Sequence, residues 1–124
     1  MTAGSFLIQL GWPAKALSPN HRSRSHWPRT NALKAARKEG YFATLAAMHG
    51  GGAPKWSSER FAFIITAYPP DRRARDDDNI KGAIKGHRDG IAQALGIDDS
   101  RFDERFQWGE PVAGGKIVIE VRPA

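Results

Sequence analysis

The chain contains no cysteine, so disulfide bonds and cysteine-ligated zinc or iron–sulfur sites are excluded. No N-terminal stretch has the length of a signal peptide's apolar region, and no apolar run approaches the length of a membrane span. These absences predict a soluble, cytoplasmic protein with no membrane partner. At 124 residues, the chain predicts a single domain over residues 1–124 with one hydrophobic core.

Acidic residues are scarce in the first part of the chain. Residues 1–75 hold 12 of the 19 Lys and Arg but only 3 of the 13 Asp and Glu, and the net charge of the whole chain is +6. The chain is therefore basic up to residue 75 and mildly acidic beyond it. A basic surface that leads to an acidic pocket is typical of a nucleic-acid enzyme, and an ordinary basic protein with solvated charges is the alternative.

Four segments have the apolar pattern of strands, and two longer segments repeat apolar residues at helical spacing. The strands are predicted at residues 6–10, 60–68, 105–109 and 116–122, and the helices at about 28–48 and 79–95. Residues 60–68 are apolar on both faces, which places them inside the sheet. The last two strands flank Gly114 and Gly115 and predict a closing hairpin. The pattern indicates an α/β (α+β) fold.

The second predicted helix carries an apolar stripe and a row of glycines. The stripe predicts a buried face on which His87 is a packed, hydrogen-bonded residue; its members are Ile80, Ile84, His87, Ile91 and Leu95. Gly82, Gly86 and Gly90 each cost about 1 kcal/mol of helix stability relative to Ala. The row therefore predicts the close approach of a partner helix, another chain or nucleic acid, and tight packing within one chain is the alternative.

Three arginines precede three consecutive aspartates between the buried strand and this helix. Adjacent carboxylates repel one another, and Mg²⁺ would relieve that repulsion because it prefers oxygen ligands such as those of Asp76 and Asp78. The alternative is a helix cap, for which Asp78 or Asn79 is the expected residue. Asp77 is expected to point away from the site. The arginines suit the phosphates of a nucleic acid; they are Arg72, Arg73 and Arg75.

A basic, polar and aromatic loop precedes the first helix. Its Asn20, Arg22 and Arg24 are predicted to contact the nucleic-acid backbone, whereas Trp27 is expected to pack onto the core.

Asp99 is the natural third carboxylate of the site, but helix length separates it from Asp78. A helix over residues 79–95 would be about 25 Å long. One chain would close the site only if the helix bends or stops early. A two-fold dimer with antiparallel helices would instead bring Asp78 of one copy towards Asp99 of the other.

With these residues, the chain resembles the RusA family of Holliday-junction resolvases of phages and prophages. The matching motifs cover most of the chain; they are Trp12-Pro13, Ser18-Pro19-Asn20-x-Arg22, Asp71-Arg72-Arg73, Arg75-Asp76-x-Asp78-Asn79, Lys85-x-x-x-Asp89 and Asp98-Asp99. The resemblance implies a homodimer with a mixed sheet, in a bacterial or phage-infected host cell. It also implies Mg²⁺-dependent paired nicking of DNA four-way junctions in recombination and repair, with Mn²⁺ able to substitute.

The resemblance also assigns roles to single residues. It implies that Asp76, Asp78 and Asp99 are the essential metal-binding carboxylates and that Asp98 supports them. The family's lysine position is occupied here by Gly82, so Lys85 is the expected catalytic lysine and Lys81 the second choice. Asn79 and Lys81 are further expected contacts to the nucleic acid.

Other functions remain open from the sequence. A nuclease of broader branched-DNA specificity would carry the same residues, and a non-catalytic junction-binding module would keep the basic surface. Asp-x-Asp also occurs in sugar-nucleotide transferases, but this chain has no phosphate-binding glycine loop before a helix.

Overall fold

The computed structural model describes residues 5–17, 27–48 and 58–124. Four strands are present: β1 (Phe6–Gly11), β2 (Phe61–Tyr68), β3 (Phe102–Trp108) and β4 (Lys116–Pro123). Three α-helices lie between them: α1 (Trp27–Ala47), α2 (Asp77–Ala83) and α3 (Lys85–Leu95). Short 3₁₀ turns occupy Lys15–Leu17 and Asp99–Arg101. The predicted α+β fold with a mixed sheet of four strands is confirmed.

The strand order is β1-β4-β2-β3, so β2 is an inner strand as its two apolar faces predict. β4 runs antiparallel to both β1 and β2, whereas β3 runs parallel to β2. The predicted hairpin of the last two strands is therefore wrong. The segment after β3 crosses the end of β2, where Gly109 and Val112 donate to the carbonyl oxygens of Ala67 and Pro69, so β4 begins on the other side of β2.

The second predicted helix is interrupted at Ile84, which ends α2 and precedes α3 with φ −99° and ψ 8°. The single rod over residues 79–95 is therefore wrong. Gly82 and Gly86 flank the interruption, and glycine is a poor helix former. All five members of the predicted apolar stripe are nevertheless buried, and they pack on the sheet or against α1. The stripe is confirmed, including the packed His87.

Two of the three glycines serve packing within one chain. A Cβ at Gly90 would overlap the carbonyl oxygen of Arg37 and lie 2.8 Å from the backbone nitrogen of Tyr41. A Cβ at Gly86 would lie 3.2 Å from that of Ala36. The backbones of α1 and α3 therefore touch, and these two glycines give no support to a helix from a second copy.

No helix among the described residues is both long enough and apolar enough to cross a membrane. The basic loop with Asn20, Arg22 and Arg24 lies outside the described residues, as does the side chain of Trp27.

Candidate metal and nucleic-acid site

The site lies where the chain leaves β2 and enters α2. Residues 69–75 join the two elements, and Arg75 holds this loop in place. Its guanidinium lies 2.8 Å from Asp71 Oδ1 and donates to the carbonyl oxygens of Asp71 and Arg73 at 3.0 and 3.1 Å. It also lies 5.5 Å from the centre of the Trp12 ring. The side chain of Arg75 is only 15% exposed, so its first role is to shape the loop. Its expected contact with phosphate stays a prediction.

Asp71 is the second fixed point of the loop. Its Oδ1 accepts from the backbone N–H of Arg73 at 3.0 Å and pairs with the guanidinium groups of Arg73 and Arg75. The backbone hydrogen bond from Arg73 is the main cause that holds the pKa of Asp71 below its ordinary value, and the two guanidinium groups add to it. Asp71 therefore stays ionised and supports the loop.

The aspartates at the start of α2 form a compact group. Carboxylate oxygens of Asp76, Asp77 and Asp78, one from each residue, lie within 4.8 Å of one another, and all three residues are exposed. Asp77 therefore belongs to the group, and the expectation that it points away is wrong. Within the described residues, this is the group of three or more acidic or histidine side chains with that spacing, and Asp99 is not a member.

The same aspartates also begin the helix. Asp76 is the N-cap, and its Oδ1 accepts from the backbone N–H of Asp78 at 3.0 Å. The expected cap at Asp78 or Asn79 is therefore wrong by two or three positions. Asp77 Oδ1 lies 3.1 Å from the same N–H. A carboxylate has two oxygens, so a cap through Oδ1 leaves Oδ2 of Asp76 for a cation. Asp76 can therefore cap the helix through Oδ1 and bind a cation through Oδ2.

Asp99 lies beyond the C-terminal end of α3, in the second 3₁₀ turn. Its carboxylate is 3.6 Å from Arg88, which also donates to the Asp99 carbonyl oxygen at 3.1 Å. Asp98 caps this turn and accepts from the backbone N–H of Ser100, which is the main cause that lowers the pKa of Asp98. One chain thus gathers Asp76 and Asp78 but not Asp99, and the role of Asp99 as a metal ligand stays a prediction.

The other predicted residues are spread around the start of α2. Lys85 is exposed at the first position of α3, and Lys81 places its Nζ 5.6 Å from the centre of the Phe106 ring. Asn79 is half-buried and lines a cleft beside Asp76. Asp89, the motif partner of Lys85, pairs at 3.9 Å with Arg37 of α1. These positions favour neither Lys81 nor Lys85 as the catalytic lysine.

Arg72 and Arg73 project from the loop, with side chains 81% and 80% exposed. Arg72 lies 3.4 Å from Glu110, and Arg73 lies 3.3 Å from Asp71. Exposed pairs of this kind contribute little free energy, so both guanidinium groups can exchange these partners for phosphate.

Two clefts border the loop. The larger, about 630 Å³, lies beside Asp76 and is lined by Trp12, Lys15, Arg73, Asn79 and others. The smaller, about 300 Å³, is lined by Arg72, Arg73, Trp108 and Glu110 among others. Trp108 and Glu110 are not among the site residues predicted from the sequence. The one sequence signal is a tryptophan near the end of a predicted strand, with an acidic residue soon after it.

Comparison with known proteins finds a relative that is similar over most of this chain. A comparison with protein-family models finds no match. An uncharacterized protein of Xylella fastidiosa is 46% identical over 117 residues, which are 92% of this chain and 74% of the relative. That name carries no activity.

Two solved structures are weakly similar. IspF of Plasmodium falciparum in its CDP complex matches at 13% identity and a TM-score of 0.31, over 99% of both chains. The bifunctional IspDF of Campylobacter jejuni matches at 11% identity and a TM-score of 0.35, over 96% of this chain and 40% of that chain. These scores carry no argument about function. By its 46% identity over most of both sequences, the chain belongs to the same family as the Xylella fastidiosa protein.

Proposed function

We propose that this protein is a Mg²⁺-dependent endodeoxyribonuclease that resolves four-way DNA junctions by paired, symmetric nicks. The observation that carries the proposal is the group formed by Asp76, Asp77 and Asp78, which follows directly on a hydrogen-bonded loop with two exposed arginines. Hard carboxylate oxygens beside guanidinium groups suit a cation and a phosphate diester together. Four-way DNA junctions are proposed as the substrate because the sequence motifs resemble those of the RusA family.

The donor set fits Mg²⁺, because all three groups are carboxylates and are exposed enough to leave room for water ligands. Asp76 and Asp78 would hold the ion, and Asp77 is a further donor in the group. When bound, Mg²⁺ would polarise the scissile phosphate and lower the pKa of a water molecule. Mn²⁺, which also accepts carboxylate ligands, would substitute for it.

The remaining residues act on the DNA. Arg72 and Arg73 bind phosphates next to the scissile bond, and the loop with Asn20, Arg22 and Arg24 contacts the junction arms. Asn79 lies at the edge of the larger cleft and contacts the backbone there. Lys85 compensates charge on the phosphoryl oxygens, with Lys81 as the other candidate.

Paired nicks require two sites, so we propose a two-fold homodimer. A dimer would also complete the metal site. Within one chain Asp99 lies outside the aspartate group, and a second copy is the route by which it would become the third ligand. We propose that the protein works in the cytoplasm of a bacterium or phage-infected cell, where recombining DNA is available.

Two other activities fit part of these observations. A nuclease of broader branched-DNA specificity would use the same aspartates and arginines. A non-catalytic junction-binding module would use the arginines alone, with Asp76 acting only as the helix cap.

Cleavage of a synthetic four-way junction separates these functions. The protein is incubated with the junction, a flap and a linear duplex, each with and without Mg²⁺. Symmetric nicks that require both the junction and the metal support the proposal. Equal cleavage of the flap indicates the broader nuclease. Tight junction binding with no cleavage in Mg²⁺ or Mn²⁺ indicates the binding module and overturns the proposal.

A further inference from the structure

The smaller cleft is lined by Arg72 and Arg73 but not by the aspartate group. It has a volume of about 300 Å³, and its wall includes Trp108, the last residue of edge strand β3. Trp108 is 41% exposed, and the other exposed large apolar side chains among the described residues, Leu7, Leu33 and Phe42, do not line this cleft. A tryptophan can stack on an aromatic ring, and two arginines can bind an anion, so this surface suits a ligand that has both an aromatic ring and negative charge.

The wall of this cleft is held firmly. The backbone N–H of Gly109 donates to the carbonyl oxygen of Ala67 at 2.8 Å, and that of Val112 donates to Pro69 at 2.9 Å. A side chain at Gly109 would overlap the ring of Tyr68, so the chain passes close to the end of β2. Phe106 packs edge-on with Trp108, with ring centres 5.2 Å apart. These contacts fix Trp108 before any ligand arrives, which reduces the entropy lost on binding.

We propose that Trp108 and the cleft beside it bind an unpaired nucleobase of the DNA substrate, with the adjoining phosphates on Arg72 and Arg73. The inference rests on the proposed function and extends it to a base-stacking subsite. Stacking on an aromatic side chain tolerates any base, because every base has a π-face. At a branch point the continuous stacking of base pairs is interrupted, so exposing a base costs less there than inside a linear duplex, and this subsite favours branched DNA over linear duplex. The cleft volume lies at the small end of the range for ligand sites, about 300–1,000 Å³, as one base requires.

Glu110 is the ion-pair partner of Arg72. It lines the same cleft, and its carboxylate lies 3.4 Å from the Arg72 guanidinium. A phosphate competes with Glu110 for Arg72, and the exposure of both side chains keeps this exchange inexpensive. Removal of the Glu110 charge should therefore tighten binding of any strand that reaches Arg72.

The test measures binding of a fluorescent ten-nucleotide thymidine strand and of a strand of the same length without bases. Ca²⁺ replaces Mg²⁺ so that no strand is cut. Stacking of one base contributes about 1–3 kcal/mol, so Trp108→Ala should weaken thymidine-strand binding about 5- to 150-fold. Trp108→Ala should leave binding of the abasic strand unchanged, and Trp108→Phe should restore most of the thymidine affinity.

Two further variants complete the design. Phe42→Ala removes another exposed aromatic ring, on α1 outside the cleft, and should change neither affinity. Arg72→Gln should flatten the salt dependence of single-strand binding by about 0.7 in log–log slope, whereas Trp108→Ala should not. Circular dichroism shows that each variant is folded.

The outcomes separate this subsite from the proposed function. Junction cleavage with equal affinity of wild type and Trp108→Ala for the thymidine strand overturns the subsite and leaves the nuclease intact. Base-dependent binding through Trp108 without any cleavage supports the subsite and overturns the nuclease. Absence of DNA binding by the wild-type protein overturns both.

Discussion

The Nε2 of His87 lies 2.8 Å from Oε1 of Glu39, and this pair joins α3 to α1 where His87 is only 1% exposed. The other oxygen of Glu39 accepts from the backbone N–H of Gly11, at the end of β1, at 2.9 Å. One carboxylate therefore connects two helices and the sheet edge. Glu39 is exposed, but its partner His87 is buried.

Replacement of Glu39 should therefore destabilise the fold. Glu39→Ala leaves the buried Nε2 of His87 without its partner, which costs about 1–3 kcal/mol. Urea unfolding followed by circular dichroism measures the change. Lys38→Ala, at the neighbouring exposed position, is the control and should change the free energy of unfolding by less than about 0.5 kcal/mol. Equal effects of the two variants would show that the His87–Glu39 pair does not stabilise the fold.

The contact between α1 and α3 predicts a strong effect at Gly90. A Cβ there meets backbone atoms of Arg37 and Tyr41, which cannot move independently of α1. Gly90→Ala should cost about 3 kcal/mol or more, because overpacking against backbone requires the helices to separate. Gly96→Ala is the comparison: its Cβ has open space but its φ is +69°, so it should cost only about 1–2 kcal/mol. The midpoint temperature of thermal unfolding should be lower for Gly90→Ala than for Gly96→Ala. The reverse order would contradict the close contact between α1 and α3.

The two roles of Asp76 can be separated by substitution. Asn is as good an N-cap as Asp, so Asp76→Asn should keep the stability of the wild type. It should weaken Mn²⁺ binding and reduce cleavage, because an amide oxygen is a poorer ligand than a carboxylate. Asp76→Ala should lose the metal and also about 1 kcal/mol of stability. Calorimetry with Mn²⁺ and thermal unfolding measure the two effects. Unchanged Mn²⁺ binding in Asp76→Asn would show that Asp76 caps the helix but is not a metal ligand.

Asp78 tests the nuclease directly. Asp78→Asn should abolish junction cleavage and leave junction binding within about twofold, because the arginines remain. Glu59→Gln is the charge-matched control, since Glu59 is exposed at the opposite end of β2, and it should cleave as wild type does. Equal loss of binding and cleavage in Asp78→Asn would point to a role of Asp78 in folding.

Arg75 and Arg73 should differ in what they affect. Arg75→Ala removes charged hydrogen bonds of a mostly covered side chain and should cost about 1.5–3 kcal/mol of stability. Arg73→Ala, 80% exposed, should leave stability unchanged and reduce the salt dependence of DNA binding. Unfolding in urea and binding titrations at several salt concentrations measure both variants. If only Arg75→Ala reduced the salt dependence of DNA binding, Arg75 and not Arg73 would be the contact to phosphate.

The sequence by itself determined the strands, the inner position of β2 and the buried stripe that includes His87. These features follow from local apolar periodicity, which a short stretch of chain expresses completely. It also determined that three carboxylates follow three arginines, but only the structure placed the Asp77 carboxylate with those of Asp76 and Asp78.

The tertiary structure decided what depends on residues far apart in the chain. Strand pairing is one case: β4 joins β1 and β2 instead of β3, because the segment after β3 is hydrogen-bonded across the end of β2 and leads to its other side. The interruption at Ile84 and the use of Gly86 and Gly90 against α1 are further cases, since α1 is distant in sequence. The positions of Arg75 beside Trp12, of Asp99 on Arg88, and of Trp108 beside Arg72 arise from contacts between elements. Local patterns cannot encode such contacts, because their free energy appears only when the elements are packed together.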